Sequence, residues 1–226
     1  MKVFSQKKPR VLVCCLVSTE RQGWINPELS QMIFKMARDT RFDVEVANVK
    51  DAVPHEVARN LTIKIARDHN FDWLVSLDND NFMPAGTPCD VIAAAGSEQS
   101  VIGLTYGLSE KESRCSLFPP MNLRTKISGL FQEVPCVGGG VLMVRNTVWK
   151  TIPKGPWFSW KCGDTETLER RNESDGCGED VAFSRLVQAH GFKVWTHREL
   201  LAGHYRTTDL TRMVCTMSQM GRAVSF

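Results

Sequence analysis

Trp73-Leu74-Val75-Ser76-Leu77-Asp78-Asn79-Asp80 decides how this chain is read. An apolar, β-prone run stops abruptly at two carboxylates separated by one residue. In extended backbone, residues i and i+2 project to the same side. The run therefore predicts a buried strand over Trp73–Leu77, with Asp78 and Asp80 facing one small volume at its end. Two anionic oxygen donors there suit a hard divalent cation such as Mg2+ or Mn2+, and such an ion would in turn hold a diphosphate. A solvated turn is the bland alternative, since Asp and Asn favour turns. A calcium loop is excluded, because Phe82 and Met83 take its fifth and sixth positions and Cys89 its twelfth.

Outward from this stretch, strands and helices alternate. Val11–Val17 is a continuous apolar run, as expected of a parallel strand buried on both faces. Asn26-Pro27-Glu28 opens a helix through Arg38, with Leu29, Met32, Ile33 and Met36 at helical spacing. Phe42–Val49 reads as a second strand. Pro54–His69 reads as a second helix, with Val57, Leu61 and Ile65 on its apolar face. A helix over Thr87–Ala95 and a strand over Ser100–Thr105 follow. The pattern predicts an α/β layer with a mainly parallel central sheet flanked by helices. From Thr105 to about Phe131, Gly, Pro and polar residues dominate. Val134–Val144 is strand-like but broken by Gly138-Gly139-Gly140, and Val148–Ile152 is a short element. Glu179–His190 reads as a helix and Lys193–Thr196 as a strand; the remainder reads as a tail. The chain divides into a first half (about 10–110), a smaller C-terminal region (about 130–205) and a tail (206–226), with no linker between separate domains. Ligands of open α/β sheets bind beyond the carboxyl ends of the strands, where Asp78 and Asp80 stand.

Composition sets outer limits. The 226 residues are 42% apolar, with a net charge of +3, enough for an ordinary core and only mildly basic. No apolar run approaches the roughly 20 residues of a membrane-spanning helix. Lys7, Lys8 and Arg10 before Val11–Val17 imitate a signal peptide, but no small-residue cleavage site follows. Of the eight cysteines, Cys14 and Cys15 are adjacent in a core-like strand, which suits reduced thiols and a cytoplasmic protein. Cys115, Cys136, Cys162 and Cys177 show no C-x-x-C spacing, so a zinc site made from them is the minor expectation.

Several further groups have chemical potential beside an ordinary reading. Gly178-Glu179-Asp180 opens a helix, where acids are favoured by the dipole, yet a carboxylate near a bound diphosphate can deprotonate an acceptor hydroxyl. His204 is a lone histidine that could complete a site begun by the carboxylates. Arg59-Asn60 is either an exposed helical pair or an arginine that forks onto phosphate or base. Gly138–Gly140 matches neither phosphate-loop pattern and marks a close approach of backbone to a ligand. Trp157 and Trp160, around Phe158, are either loop packing or an apolar platform for a sugar or base.

In order, Ala58-Arg59-Asn60, Leu77-Asp78-Asn79-Asp80, Val137-Gly138-Gly139-Gly140, Pro156-Trp157-Phe158, Gly178-Glu179-Asp180-Val181 with Gly191, and Gly203-His204 resemble the GT-A fold nucleotide-sugar glycosyltransferases of the broad family 2-like group. The resemblance spans about Val11 to Tyr205. It implies a GT-A, Rossmann-like fold and a metal-dependent, inverting transfer of a sugar from a nucleotide diphosphate sugar, UDP-linked by preference, to a hydroxyl. It makes Asp78-Asn79-Asp80 the D-x-D motif. Asp78, Asp80 and His204 would form the site for Mn2+ or Mg2+, with Asp80 binding the ion directly and Asp78 facing the donor ribose or a metal-bound water. Asp180 would be the catalytic base, with Glu179 aiding acceptor placement. Ser18, Thr19, Arg59, Asn79, Gly138, Gly139 and Gly140 would line the donor, and Trp157 and Trp160 the acceptor. Strand one ends in Leu16-Val17-Ser18-Thr19, a departure from the Pro-x-Tyr-Asn common in such enzymes. Compact proteins of this kind occur in bacterial viruses, which would place the chain in a host cytoplasm. Some of them glycosylate modified DNA bases, and Arg206, Arg212 and Arg222 permit a hydroxymethylated DNA acceptor without demanding one; protein, glycan and lipid-linked acceptors are the larger expectation.

Two other functions compete. A sugar-nucleotide nucleotidyltransferase would carry a Gly-rich, Lys/Arg-containing loop after strand one, which Ser18–Trp24 does not supply. A non-catalytic nucleotide- or sugar-binding module would have no need of Asp78, Asp80, Asp180 and His204 together.

Overall fold

The computed structural model describes residues 7–17, 26–50, 55–109, 115–118, 126–159, 178–204 and 224–225. The elements begin β1 (Arg10–Val17), α1 (Pro27–Ala37), β2 (Asp43–Lys50), α2 (His55–Asp68), β3 (Trp73–Asp78), β4 (Asn81–Phe82), α3 (Pro88–Ala94), β5 (Val101–Gly103), β6 (Tyr106–Ser109) and β7 (Cys115–Phe118). They continue with β8 (Ile127–Ser128), β9 (Phe131–Glu133), β10 (Val141–Arg145), α4 (Asn146–Thr151), α5 (Glu179–Ala189), β11 (Val194–His197), β12 (Gly203–His204) and β13 (Val224–Ser225).

The central sheet has eight strands in the order β2-β1-β3-β10-β5-β11-β9-β8. β1 is parallel to β2 and β3, and β11 is parallel to β5. β10 is antiparallel to both its neighbours, and β9 to both of its own. The sheet is thus mixed. Most strands point one way, as the α/β alternation implies, but two reversed insertions make most neighbouring pairs antiparallel. Sequence alternation cannot reveal this, because β10 follows a loop instead of a crossover helix.

Side-chain alternation along β1 sorts the core into two layers. Val11, Val13, Cys15 and Val17 pack with Leu29, Met32 and Met36 of α1. Leu12 and Cys14 pack with Ile63 and Ala66 of α2 and with the cluster that holds Phe183 and Val187 of α5. Helices therefore cover both faces, which explains why β1 is apolar throughout. The strand order 2-1-3 makes the chain turn opposite ways from β1, with α1 and α2 on opposite faces. The crevice that this leaves lies beyond the carboxyl ends of β1 and β3.

Four sequence readings change. The buried face of α2 is Ala58, Arg59, Thr62, Ile63 and Ala66, while Val57 and Leu61 are exposed; the helix is rotated so that a charged residue faces inward. The strand-like region Val134–Val144 is a strand only from Val141, since the glycines before it form a loop. The irregular stretch after Thr105 contains β6 to β9, each too short for periodicity to register. The segment at His204 is no free tail: β12 pairs antiparallel with β4, His204 opposite Asn81 and Gly203 opposite Phe82.

Cys14, Cys15, Cys89 and Cys136 are free. Burial pushes the thiols of Cys14, Cys15 and Cys89 up to about 12, so they stay protonated and unreactive at neutral pH. Among the described residues no group of three or more His, Cys, Asp or Glu side chains is gathered for a metal; Cys162 and Cys177 lie outside them. Among the described residues no helix is long and apolar enough to cross a membrane.

His197 ends β11 as a buried histidine. Its Nδ1 accepts from the backbone N–H groups of Glu199 (3.2 Å) and Leu200 (3.0 Å), and Phe131 packs against its ring. Burial lowers its pKa against a smaller opposing effect of Glu199. The unfolded chain therefore binds the proton more readily, and stability falls as pH drops below about 6.5. We expect urea midpoints of the wild type to fall between pH 7 and pH 5. His197→Asn, which keeps an acceptor without a titrating proton, should flatten that part of the dependence.

Candidate active site at the carboxyl edge of the sheet

β3 delivers Asp78 to the edge of the sheet and then turns. Asn79 and Asp80 form this turn, and β4 begins at Asn81. The extended geometry expected to aim Asp78 and Asp80 together ends at Asp78, and the two carboxylates take different partners. Asp78 accepts from Nη2 of Arg59 with both oxygens, each at 3.0 Å. Asp80 Oδ2 lies 3.4 Å from Nε2 of His204. The expected three-member metal set of Asp78, Asp80 and His204 is therefore not gathered around one point, because the Arg59 guanidinium engages Asp78.

Arg59 comes from the buried face of α2 and is 3% exposed. Its Nη1 donates to the Gly139 carbonyl (2.9 Å) and its Nε reaches Glu179 Oε1 (3.4 Å). Burial opposes its charge, but Asp78 and Glu179 outweigh that and hold it firmly protonated. One side chain thus ties the end of β3, the glycine loop and the first turn of α5.

The glycine triplet is explained by the protein's own side chains. A Cβ on Gly138 would strike the Tyr106 hydroxyl, one on Gly139 the Arg59 guanidinium, and one on Gly140 the Asn81 amide. The sequence reading had a ligand over these glycines; on their Cβ side the space is filled by Tyr106, Arg59 and Asn81. The loop is drawn to the site because β10 runs antiparallel to β3, with the Asp78 N–H donating to the Gly140 carbonyl (3.0 Å).

The β4–β12 ladder brings His204 to the same edge. Its Nδ1–H donates to the Gly107 carbonyl (2.7 Å), and Tyr106 meets its ring edge-on at 5.5 Å. With Nδ1–H committed to that carbonyl, Nε2 is the ring nitrogen that faces Asp80. Asp80 Oδ2 lies 3.4 Å from it, longer than the roughly 2.7–2.9 Å of a direct charge-assisted bond. A carboxylate oxygen and an imidazole nitrogen at this spacing can share a cation when the ring is neutral. His204 and Asp80 thus suit a hard or borderline divalent ion whose remaining ligands come from elsewhere, a diphosphate included.

Asp180 follows Glu179 at the start of α5. Burial, and next the negative charge of Glu179, raise its pKa above the usual carboxylate value. Its Oδ1 accepts from the Val181 N–H (2.7 Å). Tyr106 is pushed up by burial and by the charges of Asp180 and Asp78, so it remains a neutral phenol.

Trp157 is not an exposed platform. It is 5% exposed, and its indole N–H donates to the Ile152 carbonyl (2.8 Å). Asn60 pins this loop by accepting from the Trp157 and Phe158 N–H groups (2.8 and 3.0 Å) and donating to the Phe158 carbonyl (2.7 Å). Phe158 stacks on Phe183. The acceptor role expected for Trp157 is thus replaced by core packing. Ser18, Thr19, Trp160, Arg206, Arg212 and Arg222 lie outside the described residues. Sequence reasoning missed Tyr106 and Asn81. Both adjoin ends of sheet strands, where ligands of such sheets collect, and that was the one available signal.

No protein-family model and no curated protein matches the chain. Among solved structures, A197 from STIV is similar over 87% of this chain and 86% of that one, with a TM-score of 0.59 and 19% identity. This chain thus shares the overall fold of A197, a mixed α/β sheet flanked by helices. GalNAc-T7, solved with UDP, GalNAc and Mn2+, aligns over 89% of this chain and 45% of its own, with a TM-score of 0.47 and 11% identity. TarS from S. aureus, solved with UDP-GlcNAc, aligns over 89% of this chain and 60% of its own, with a TM-score of 0.47 and 10% identity. This chain therefore spans under two thirds of either of those chains.

Gly139→Ala tests the packing of the loop. The new methyl must displace the Arg59 guanidinium, and overpacking of this kind costs about 1–3 kcal/mol. We expect a lower urea midpoint with an unchanged slope.

Proposed function

We propose that this chain is a divalent-cation-dependent glycosyltransferase that moves a sugar from a nucleotide diphosphate sugar, with a UDP-sugar preferred, to an acceptor hydroxyl with inversion. The observation that carries this reading is the opposition of Asp80 Oδ2 and His204 Nε2 across 3.4 Å at the carboxyl edge of the sheet. The proximity of Asp180 and Glu179, linked to Asp78 through Arg59, supports it. In this reading Asp80 and His204 hold Mn2+ or Mg2+. The ion's chemistry is that of a Lewis acid that neutralises the charge growing on the departing diphosphate.

The chain's own residues supply the remainder. Asp180 takes the proton from the acceptor hydroxyl as its oxygen attacks the anomeric carbon. Its buried position makes it a stronger base than a solvated aspartate. Glu179, held by Arg59, gives the acceptor a fixed anionic neighbour. Tyr106 and the Gly107 carbonyl hold His204 in one ring orientation and one tautomer. For the acceptor, hydroxymethylated DNA is one candidate beside protein, glycan and lipid-linked hydroxyls, and a net charge of +3 does not repel a polyanion.

The test is release of UDP from a panel of UDP-sugars with Mn2+, with and without acceptor. Asp80→Ala should abolish transfer and Mn2+-dependent nucleotide binding; activity at the wild-type level would remove the metal role. Asp180→Asn should retain donor binding and lose transfer by about 10²-fold or more. In the wild type, transfer should fall on acidification at a pH above the ordinary aspartate value of about 3.9, because the base must be ionised and its pKa is raised.

A further inference from the structure

The sequence reading gave Arg59 to the donor nucleotide. We propose instead that Arg59 is a positioning residue, which holds the carboxylates of Asp78 and Glu179 in fixed relation and touches no substrate. This deepens the proposed function and rests on it.

Three observations carry it. All three guanidinium nitrogens are engaged within the protein: Nη2 with Asp78, Nη1 with the Gly139 carbonyl and Nε with Glu179. The side chain is 4% exposed, so it presents no face to a nucleotide. Gly139 lacks the Cβ that would collide with the guanidinium, so the backbone is shaped to receive this side chain.

The geometry needs arginine. A planar guanidinium carries donors in several fixed directions, whereas an ammonium is a point charge. Lysine at 59 would bring its donors from a single nitrogen and could not reproduce the fork that meets Asp78, the Gly139 carbonyl and Glu179 from separate nitrogens. The strand that ends in Asp78 and the helix that begins with Glu179 are separate in the chain, and Arg59 links them directly. Asp180, next to Glu179, is set by the same link. Displacement chemistry is sensitive to such registration: a misplacement of about 1 Å costs on the order of 10²-fold in rate.

The experiment compares wild type, Arg59→Lys, Glu179→Gln and the double variant in the full chain, measuring UDP-sugar turnover with Mn2+ and Mn·UDP binding by calorimetry. A positioning role predicts that Arg59→Lys lowers kcat by about tenfold or more while donor KM and Mn·UDP affinity stay within about threefold. The double variant should be little worse than Arg59→Lys alone, because both changes break one link. A tenfold loss of nucleotide affinity with kcat kept, or a multiplicative loss in the double variant, would overturn the proposal. If Arg59→Lys does not fold, Glu179→Gln is read alone: lowered kcat with both donor and acceptor KM unchanged supports the link, and wild-type kcat or a raised acceptor KM refutes it. If the wild type turns over no nucleotide sugar, the proposed function fails separately. The link is then judged from urea midpoints of the four proteins, where non-additive losses support it and additive losses overturn it.

Discussion

The Arg59 guanidinium sits beneath the carboxyl edge of the sheet, with Asp78, Glu179 and the Gly139 carbonyl around it. Carboxylates gathered at one edge repel each other unless a cation lies among them. A buried cation is itself tolerable only when its hydrogen-bonding groups are met. Each condition supplies the other here. Removing one partner from such a pair leaves a charge without compensation, at a cost on the order of 3–5 kcal/mol. The acids at this edge and the arginine under it therefore stand or fall together.

The fold brings these groups into reach by three separate routes. The change in strand order on either side of β1, with β2 to one side and β3 to the other, opens a crevice at the carboxyl ends of these parallel strands. The reversed strand β10 starts where β3 ends, so its glycine loop must lie beside Asp78. The β4–β12 ladder returns the chain to the turn after Asp78 and sets His204 against Asp80. Each route joins segments far apart in sequence through backbone pairing. Side chains then finish the arrangement: Tyr106, Arg59 and Asn81 fill the space that three absent Cβ atoms leave.

Much of the fold was legible because the signals were local and long. β1, α1, α2, β3, α3 and α5 each had the length and periodicity to declare themselves. Asp80, Asp180 and His204 of the candidate site stood out as candidates in the sequence, since an acid pair after a strand, acids at a helix start and an isolated histidine are visible as residue types. The face of α2 was misjudged. Val57 and Leu61 look like its buried stripe, yet Arg59 and Thr62 are inside, because the charge finds partners there that a one-dimensional reading cannot show. Trp157 likewise looked available and is packed, held by Asn60 and by its bond to the Ile152 carbonyl.

By itself, then, the amino-acid order determined the alternation of strand and helix, the two-sided burial of β1, and the placing of acids at the end of β3 and the start of α5. Those properties follow from backbone period and residue polarity within short windows. Only the tertiary structure decided that β10 runs backwards, that Asp78 and Asp80 part company, and that His204 and Arg59 each take one of them. These outcomes depend on strand pairing and charge compensation between residues tens of positions apart, where local pattern has no say.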